Sequence, residues 1–129
     1  MTHCLDSWAV LEWLEGGEPA AARVDALFAA GTPIMSWINL GEVACVVARH
    51  HGEQEAATVV GRLQGALDLE LPTRDRVLAA AALKAAHRIS YADAFCVATA
   101  LGHEAVLLTG DPEILGADAD WPREDLRPG

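Results

Sequence analysis

The chain is poor in basic residues, in cysteine and in long apolar runs. Its 129 residues include nine lysines and arginines against nineteen aspartates and glutamates, which gives a formal net charge of −10. This balance argues against a general nucleic-acid binder, which normally carries a basic surface. No apolar run approaches the roughly 18 residues of a membrane-spanning helix. We therefore expect no association with a membrane.

Cysteine occurs three times, as Cys4, Cys45 and Cys96. The three residues are far apart in the sequence and have apolar neighbours, which is typical of reduced thiols in a protein core. The N-terminal segment also lacks the basic and apolar regions of a signal peptide. We therefore expect a cytoplasmic protein without disulfides, with all three thiols buried.

Apolar residues make up 52% of the chain and charged residues 22%, which favours one compact domain over residues 1–129. Short apolar segments alternate with helical patterns. Strands are predicted at residues 3–5, 33–35, 66–71 and 105–109. Helices are predicted at residues 8–14, 19–30, 37–51, 53–63, 74–87 and 91–102. This alternation predicts an α/β fold with a mostly parallel central sheet.

Serine residues stand at the predicted starts of three helices. Ser7, Ser36 and Ser90 each precede an apolar helical pattern and are therefore predicted N-caps. The acidic tail from residue 116 to residue 129 is predicted to be a surface strand or an irregular arm.

Four carboxylates occupy unusual positions. Glu42 and Asp93 are isolated charges in almost wholly apolar helical segments, and we expect both in first helical turns. Asp6 and Asp111 follow predicted strands, and functional groups gather beyond the carboxyl ends of parallel strands. Because burying an unpaired carboxylate costs several kcal/mol, a shared cation explains the four acids better than chance does.

The chemistry of such a cluster indicates Mg²⁺ or Mn²⁺, which prefer oxygen ligands. The sequence has no HExxH motif and no cysteine–histidine cluster, so zinc is not expected. A divalent cation among carboxylates can activate water for phosphodiester hydrolysis. At least one of the four acids should have a raised pKa when no cation is bound, because like charges repel.

Each acid also has a simpler interpretation. Asp93 could belong to a capping box that begins at Ser90, and Asp6 could favour the N-terminus of the following helix. Asp111 could be a turn residue in the sequence Gly-Asp-Pro, and Glu42 could lie on a helix surface. Each of these alternatives stays open for one residue, but all four together are a weaker explanation than a shared site.

Two segments resemble the PIN-domain family, and more narrowly the VapC-type toxins of bacterial toxin–antitoxin pairs. They are ISYADAFCVATA at residues 89–100 and VLLTGDPE at residues 106–113. CLDSWAVL at residues 4–11 and NLGEV at residues 39–43 match the first and second acidic motifs of that family. The motifs occur in the family's order and span nearly the whole chain.

The resemblance implies a three-layer α/β/α fold with four to five short strands. It implies a Mg²⁺- or Mn²⁺-dependent ribonuclease that cleaves structured RNA such as transfer or ribosomal RNA. It also implies a homodimer and a VapB-type antitoxin whose C-terminal segment covers the site. The implied catalytic residues and metal ligands are Asp6, Glu42, Asp93 and Asp111.

Several points stay open after this comparison of motifs. Glu113 either joins the acidic site or does not, and Ser7 and Thr109 either orient ligands or have capping and turn roles. Two alternatives to a ribonuclease toxin are a catalytically silent binding module with the same fold and a PIN nuclease outside a toxin–antitoxin pair.

The acidic chain must still hold RNA if it is a ribonuclease. The candidate phosphate-binding side chains are Arg49, Arg74, Arg76, Lys84 and Arg88, the last two predicted to share one helix face. The alternative for each is a solvated surface position. Trp37 and Tyr91 either stack on a base or belong to the core.

Overall fold

The computed structural model describes all 129 residues and contains five strands and seven helices. The strands are β1 (His3–Leu5), β2 (Ile34–Ser36), β3 (Asp68–Glu70), β4 (Val106–Thr109) and β5 (Arg123–Asp125). The helices are α1 (Ser7–Glu15), α2 (Ala20–Ala30), α3 (Trp37–His51), α4 (Glu53–Gln64), α5 (Arg74–Ala86), α6 (Tyr91–Gly102) and α7 (Pro112–Leu115).

All five strands form one parallel sheet in the order β3-β2-β1-β4-β5. In the central pair, Leu5 of β1 lies opposite Leu108 of β4. The carboxyl ends of β1, β2 and β4 therefore meet at one edge of the sheet, where the acidic residues follow. The predicted parallel α/β architecture is confirmed.

Alternate strand residues point to opposite faces of the sheet, and each face is covered by helices. Leu5, Met35 and Leu108 pack in one hydrophobic cluster with residues of α1 to α4. Cys4 and Leu107 pack in a second cluster with residues of α6 on the other face. Helix α5 packs on the outside of α6. This is the expected three-layer arrangement.

Helices α1, α3 and α6 each have an N-cap residue whose side chain accepts a backbone hydrogen bond. Ser36 and Ser90 are N-caps as predicted, and their hydroxyl oxygens accept hydrogen bonds from the backbone N–H groups of Ile38 and Asp93. The prediction for Ser7 is wrong, because Asp6 is the N-cap of α1. The Asp6 carboxylate accepts from the backbone N–H of Ala9, so the helix begins one residue earlier than predicted.

Some predicted boundaries shift in the structure. Strand β3 spans only Asp68–Glu70, and Leu71 beyond it is 73% exposed, so the alternating pattern of leucines does not extend into the sheet. The acidic tail contributes an edge strand, β5, beside β4. Helix α7 was not predicted, because it begins at the proline of the Gly-Asp-Pro sequence and its four residues are too few for a periodic pattern.

The prediction that all three thiols are buried is wrong for Cys45. Cys4 and Cys96 are buried, but Cys45 is exposed. The buried positions Leu40, Val43 and Val47 define the inner face of α3, and Cys45 lies on the opposite face. No helix of the protein is both long and apolar enough to cross a membrane.

Candidate metal centre

Asp6 lies directly after β1 and is 2% exposed. One carboxylate oxygen accepts from the backbone N–H of Ala9 at 2.8 Å, and the other accepts from the Thr109 hydroxyl. The capping role that was the simpler alternative for Asp6 is therefore real. The two hydrogen bonds fix the side chain beyond the end of β1 and do not exclude a second role.

Thr109, the last residue of β4, connects two of the acids. Its hydroxyl donates to Asp6 and accepts from the backbone N–H of Asp111 at 2.9 Å. Asp111 in turn is the N-cap of α7, with its carboxylate accepting from the N–H of Glu113 at 2.8 Å. The hydroxyl of Thr109 thus orients one acid and the backbone of the other.

Asp93 lies in the first turn of α6 and is 7% exposed. One carboxylate oxygen of each of Asp93, Asp111 and Glu113 lies within 4.8 Å of the others. The Glu113 carboxylate also accepts from the backbone N–H of Ser90 at 3.1 Å. The Ser90 hydroxyl caps the backbone N–H of Asp93, but Glu113, not Asp93, receives the N–H of Ser90, so only half of the capping box forms within this segment.

Glu42 is half-buried in the second turn of α3, not in the first turn as expected. Its carboxylate accepts from the Asn39 side-chain amide at 3.1 Å, and the same amide donates to the backbone carbonyl of Ala92 at 3.0 Å. Asn39 therefore ties α3 to the start of α6. Its side-chain oxygen is buried and has no hydrogen-bond donor.

Asn39 was not among the predicted site residues. The signal for it was a lone amide three residues before Glu42 in an apolar helix, a spacing that places both side chains on one helix face.

The electrostatics of these residues follow from their crowding and burial. Desolvation raises the pKa of Asp6 to about 7 against the hydrogen bonds from Thr109 and Ala9, and the charges of Asp111 and Glu42 raise it further. Desolvation also raises the pKa of Asp93 to about 8, with a hydrogen bond to Glu113 and the charge of Asp111 acting in the same direction. The expected raised pKa thus occurs at two of the four acids.

Asp111 links Asp6 and Asp93 electrostatically, because its charge raises the pKa of both, and Glu42 joins them because its charge also raises the pKa of Asp6. The structure therefore brings the four predicted residues to one edge of the sheet and adds Glu113 to them. Burial disfavours the charged carboxylates unless positive charge compensates them. All the candidate ligand atoms are oxygens, which hard divalent cations prefer.

Two of the basic side chains predicted to bind phosphate already have partners within the protein. Arg76 is occupied by Glu70, with its guanidinium at 2.8 Å from the carboxylate and also donating to the carbonyl of Ala98. Lys84 donates to the carbonyl of Ile89. Because α5 ends at Ala86, Arg88 lies beyond the helix and does not share a face with Lys84.

The two aromatic residues considered for base stacking lie in different environments. Trp37 is partly buried and packs against the core beneath α1 to α4. Tyr91 is 44% exposed and stacks on Phe95 with ring centroids 5.2 Å apart. Only Tyr91 therefore offers a substantial exposed ring beside the start of α6.

A concavity of about 720 Å³ lies between α1, α3 and α4 and has none of the four acids in its lining. A smaller cleft of about 400 Å³ includes Glu113 in its wall. The chemistry of the carboxylates, not the size of the concavity, therefore locates the candidate centre.

The fold is that of a three-layer α/β protein, and the clustered oxygens form a candidate divalent-cation centre at its sheet edge. Residues 3–119 match the PIN domain. This protein therefore belongs to the PIN-domain family. A search of curated proteins gave no match.

Solved structures with the same fold include chains of toxin–antitoxin complexes. A chain of the DNA-bound VapBC complex from Salmonella typhimurium is similar, with TM-score 0.77 and 14% identity over 98% of this chain and 99% of that chain. VapBC2 from Rickettsia felis, bound to a DNA fragment from its promoter, gives TM-score 0.76 and 15% identity over 97% and 98%.

A third similar structure is VapC20 of Mycobacterium tuberculosis, a sarcin–ricin loop cleaving toxin. Its TM-score is 0.72 at 20% identity, over 89% of this chain and 94% of that chain. At these identities the likeness shows a common fold.

Proposed function

We propose that this protein is a metal-dependent endoribonuclease and the toxin of a VapBC-type toxin–antitoxin pair. The observation that carries the proposal is the convergence of Asp93, Asp111 and Glu113 within 4.8 Å, electrostatically linked to Asp6, at the carboxyl edge of a PIN-domain sheet. The fold shared with VapBC complexes and with an RNA-cleaving toxin supports it.

The cation would be held by the carboxylates of Asp6, Glu42, Asp93 and Asp111. When bound, Mg²⁺ or Mn²⁺ supplies positive charge for the phosphate and lowers the pKa of bound water. The buried, unpartnered oxygen of Asn39 beside Glu42 fits such a centre, because it can accept a hydrogen bond from an ordered water molecule.

The side chains around the acids hold them in place for this chemistry. Thr109 and the N–H of Ala9 fix both oxygens of Asp6, and Asn39 fixes Glu42. A hydrogen bond to Glu113 helps to raise the pKa of Asp93, so Asp93 keeps its proton near neutral pH when no positive charge is present. Carboxylates held in this way do not have to reorganise when substrate binds, which favours catalysis.

Metal binding and cleavage can be tested together. We expect Mn²⁺ or Mg²⁺ to raise the unfolding midpoint of the wild-type protein and to support cleavage of transfer or ribosomal RNA, since a cation that binds only the folded state stabilises it. Asp93→Asn should lose both effects. Asp68→Asn, an exposed acid on β3, is the matched control and should keep both. Metal-independent cleavage, or full activity of Asp93→Asn, would contradict the proposal.

The toxin assignment needs a separate experiment. Induced expression in a bacterial host should arrest growth, and Asp6→Asn should abolish the arrest. RNA cleavage in vitro without growth arrest would instead favour a PIN nuclease outside a toxin–antitoxin pair. Metal binding and cleavage that are both absent would favour the catalytically silent binding module.

We further propose a homodimer and an antitoxin partner of the VapB type. The fold shared with chains of toxin–antitoxin complexes from several bacteria supports the partner. Light scattering of the purified protein measures the dimer, and a monomer at all concentrations would contradict it. Co-purification with the product of a neighbouring gene, with loss of RNA cleavage in the complex, tests the antitoxin.

A further inference from the structure

Eight of the nine basic side chains have a partner within the chain. Four form ion pairs with carboxylates, and two donate to backbone carbonyl oxygens. One donates to a thiol, and one lies over an indole ring. The ninth, Arg88, is exposed and makes none of these contacts. Arg62 also makes no hydrogen bond, but its guanidinium lies over the Trp13 ring, so Arg88 is the one lysine or arginine side chain with none of these contacts.

Arg88 lines the cleft of about 400 Å³ together with His87, Pro112, Glu113 and Asp118. Glu113 is also a member of the acidic cluster, so the cleft lies directly beside the candidate metal centre. The volume falls within the range of sites that enclose a small molecule. Glu113 of the candidate metal centre and the guanidinium of Arg88 therefore line the same cleft.

The backbone at Arg88 is anchored on both sides. The ring of His87 packs edge to face on Trp121 with centroids 5.0 Å apart, and Ile89 is 3% exposed. The carbonyl of Ile89 also accepts from Lys84 at 3.0 Å. The segment after α5 thus presents Arg88 from a fixed backbone position, so a ligand that binds its side chain does not have to order the backbone as well.

The charge balance explains why such a residue would be needed. A chain of net charge −10 repels a polyanion, and the carboxylates beside the cleft strengthen that repulsion locally. A guanidinium presents a planar fork of donors that matches two phosphate oxygens. Arg88 can therefore hold an RNA phosphate at a short distance from the acids without a broad basic surface.

We propose that this cleft holds one nucleotide of the RNA next to the scissile phosphate, with Arg88 binding the phosphate of that nucleotide. This inference rests on the proposed ribonuclease function. It assigns the RNA contact to Arg88, beside the candidate metal centre, and not to the arginine and lysine side chains of α5.

The test measures binding of a labelled ribosomal RNA hairpin in an Asp6→Asn background, which should not cleave, at several salt concentrations. Removing one phosphate contact to a single-stranded segment should lower the slope of log affinity against log salt by about 0.7. At 0.15 M salt this corresponds to about fourfold weaker binding for Arg88→Ala. Arg88→Lys keeps the charge and should keep the slope.

Arg74→Ala is the matched control. Arg74 lies at the other end of α5, about 20 Å along the helix axis, and its side chain is 82% exposed beside Asp75. It should leave both affinity and slope unchanged. Equal slopes for the Arg88→Ala and Arg74→Ala proteins would overturn the proposal.

The outcome is distinguishable from a failure of the proposed function. If the wild-type protein cleaves RNA with Mn²⁺ but Arg88→Ala binds and cleaves normally, the subsite is refuted and the ribonuclease stands. If the wild-type protein neither binds nor cleaves RNA, both proposals fall. Unchanged unfolding midpoints for the Arg88 variants will show that any loss of binding is local.

Discussion

Asp6 should make the metal-free protein less stable as the pH rises. Burial raises the pKa of its carboxyl group from 3.8 to about 7. The folded protein therefore retains a proton that the unfolded chain releases between these pH values. The resulting contribution to stability is fully present below the unfolded pKa and is lost as the pH rises through the folded pKa. Asp6→Asn, which cannot ionise, should remove this pH dependence.

The magnitude follows from the two pKa values. Each tenfold change in an acid constant is worth about 1.4 kcal/mol, so pKa values of 3.8 and about 7 correspond to an upper bound of about 4 kcal/mol at alkaline pH. Part of this difference is already present at pH 5. Between pH 5 and pH 8, the stabilising effect of Asp6→Asn should therefore grow by at most about 3 kcal/mol.

Urea unfolding in EDTA at the two pH values measures this effect. Asparagine keeps an oxygen that can accept from the N–H of Ala9, so the cap of α1 should survive in the variant. Asp68→Asn is the control, because Asp68 is exposed and should show the same pH dependence as the wild-type protein. Taking the difference between each variant and the wild-type protein cancels the titration of the groups that do not interact with Asp6.

Mn²⁺ provides the second half of the same experiment. At a concentration 100 times its Kd, a cation adds about 2.7 kcal/mol to the stability of a protein that binds it only when folded. The wild-type protein should gain this stability at pH 8, and Asp6→Asn should gain much less. A stability difference between the wild-type protein and Asp6→Asn that does not change with pH would refute the reasoning about Asp6.

Two further predictions concern the residues that hold the acids. Thr109→Val removes the hydroxyl that donates to Asp6 and accepts from the N–H of Asp111, and it should lower the free energy of unfolding by about 2 kcal/mol at pH 5. A loss below about 0.5 kcal/mol in urea unfolding would contradict this prediction. Glu113→Gln should lower the pKa of Asp93 from about 8, because the hydrogen bond and charge of Glu113 both raise it. Carbon-13 NMR titration in EDTA measures this pKa, and an unchanged midpoint would show that Glu113 does not act on Asp93.

Local patterns in the sequence predicted most of the secondary structure. The apolar strand at 105–109 and the capped helix after Ser90 occur within one residue of their predicted bounds. Hydrophobic periodicity and capping residues act over a few neighbouring positions, so the sequence displays them directly. The shift of the first N-cap to Asp6 arose because serine and aspartate are both good caps and are adjacent there.

Two of the four acids could be identified from the sequence because they are isolated charges in apolar segments. Glu42 and Asp93 stood out because a carboxylate in such surroundings is costly unless something compensates it. The order of strands and helices then predicted that Asp6 and Asp111 would meet at one sheet edge, and β1 and β4 are indeed neighbours. Composition and spacing thus determined the fold class and the four candidate positions.

Only the tertiary structure decided which side chains surround those positions. Glu113 joins the cluster because α7 turns it toward Ser90, and Asn39 reaches Glu42 and the start of α6 at once. Among the bases, Arg76 is bound by Glu70 whereas Arg88 is free. These partners come from separate elements, and their meeting depends on how helices pack across the sheet, which no local periodicity encodes.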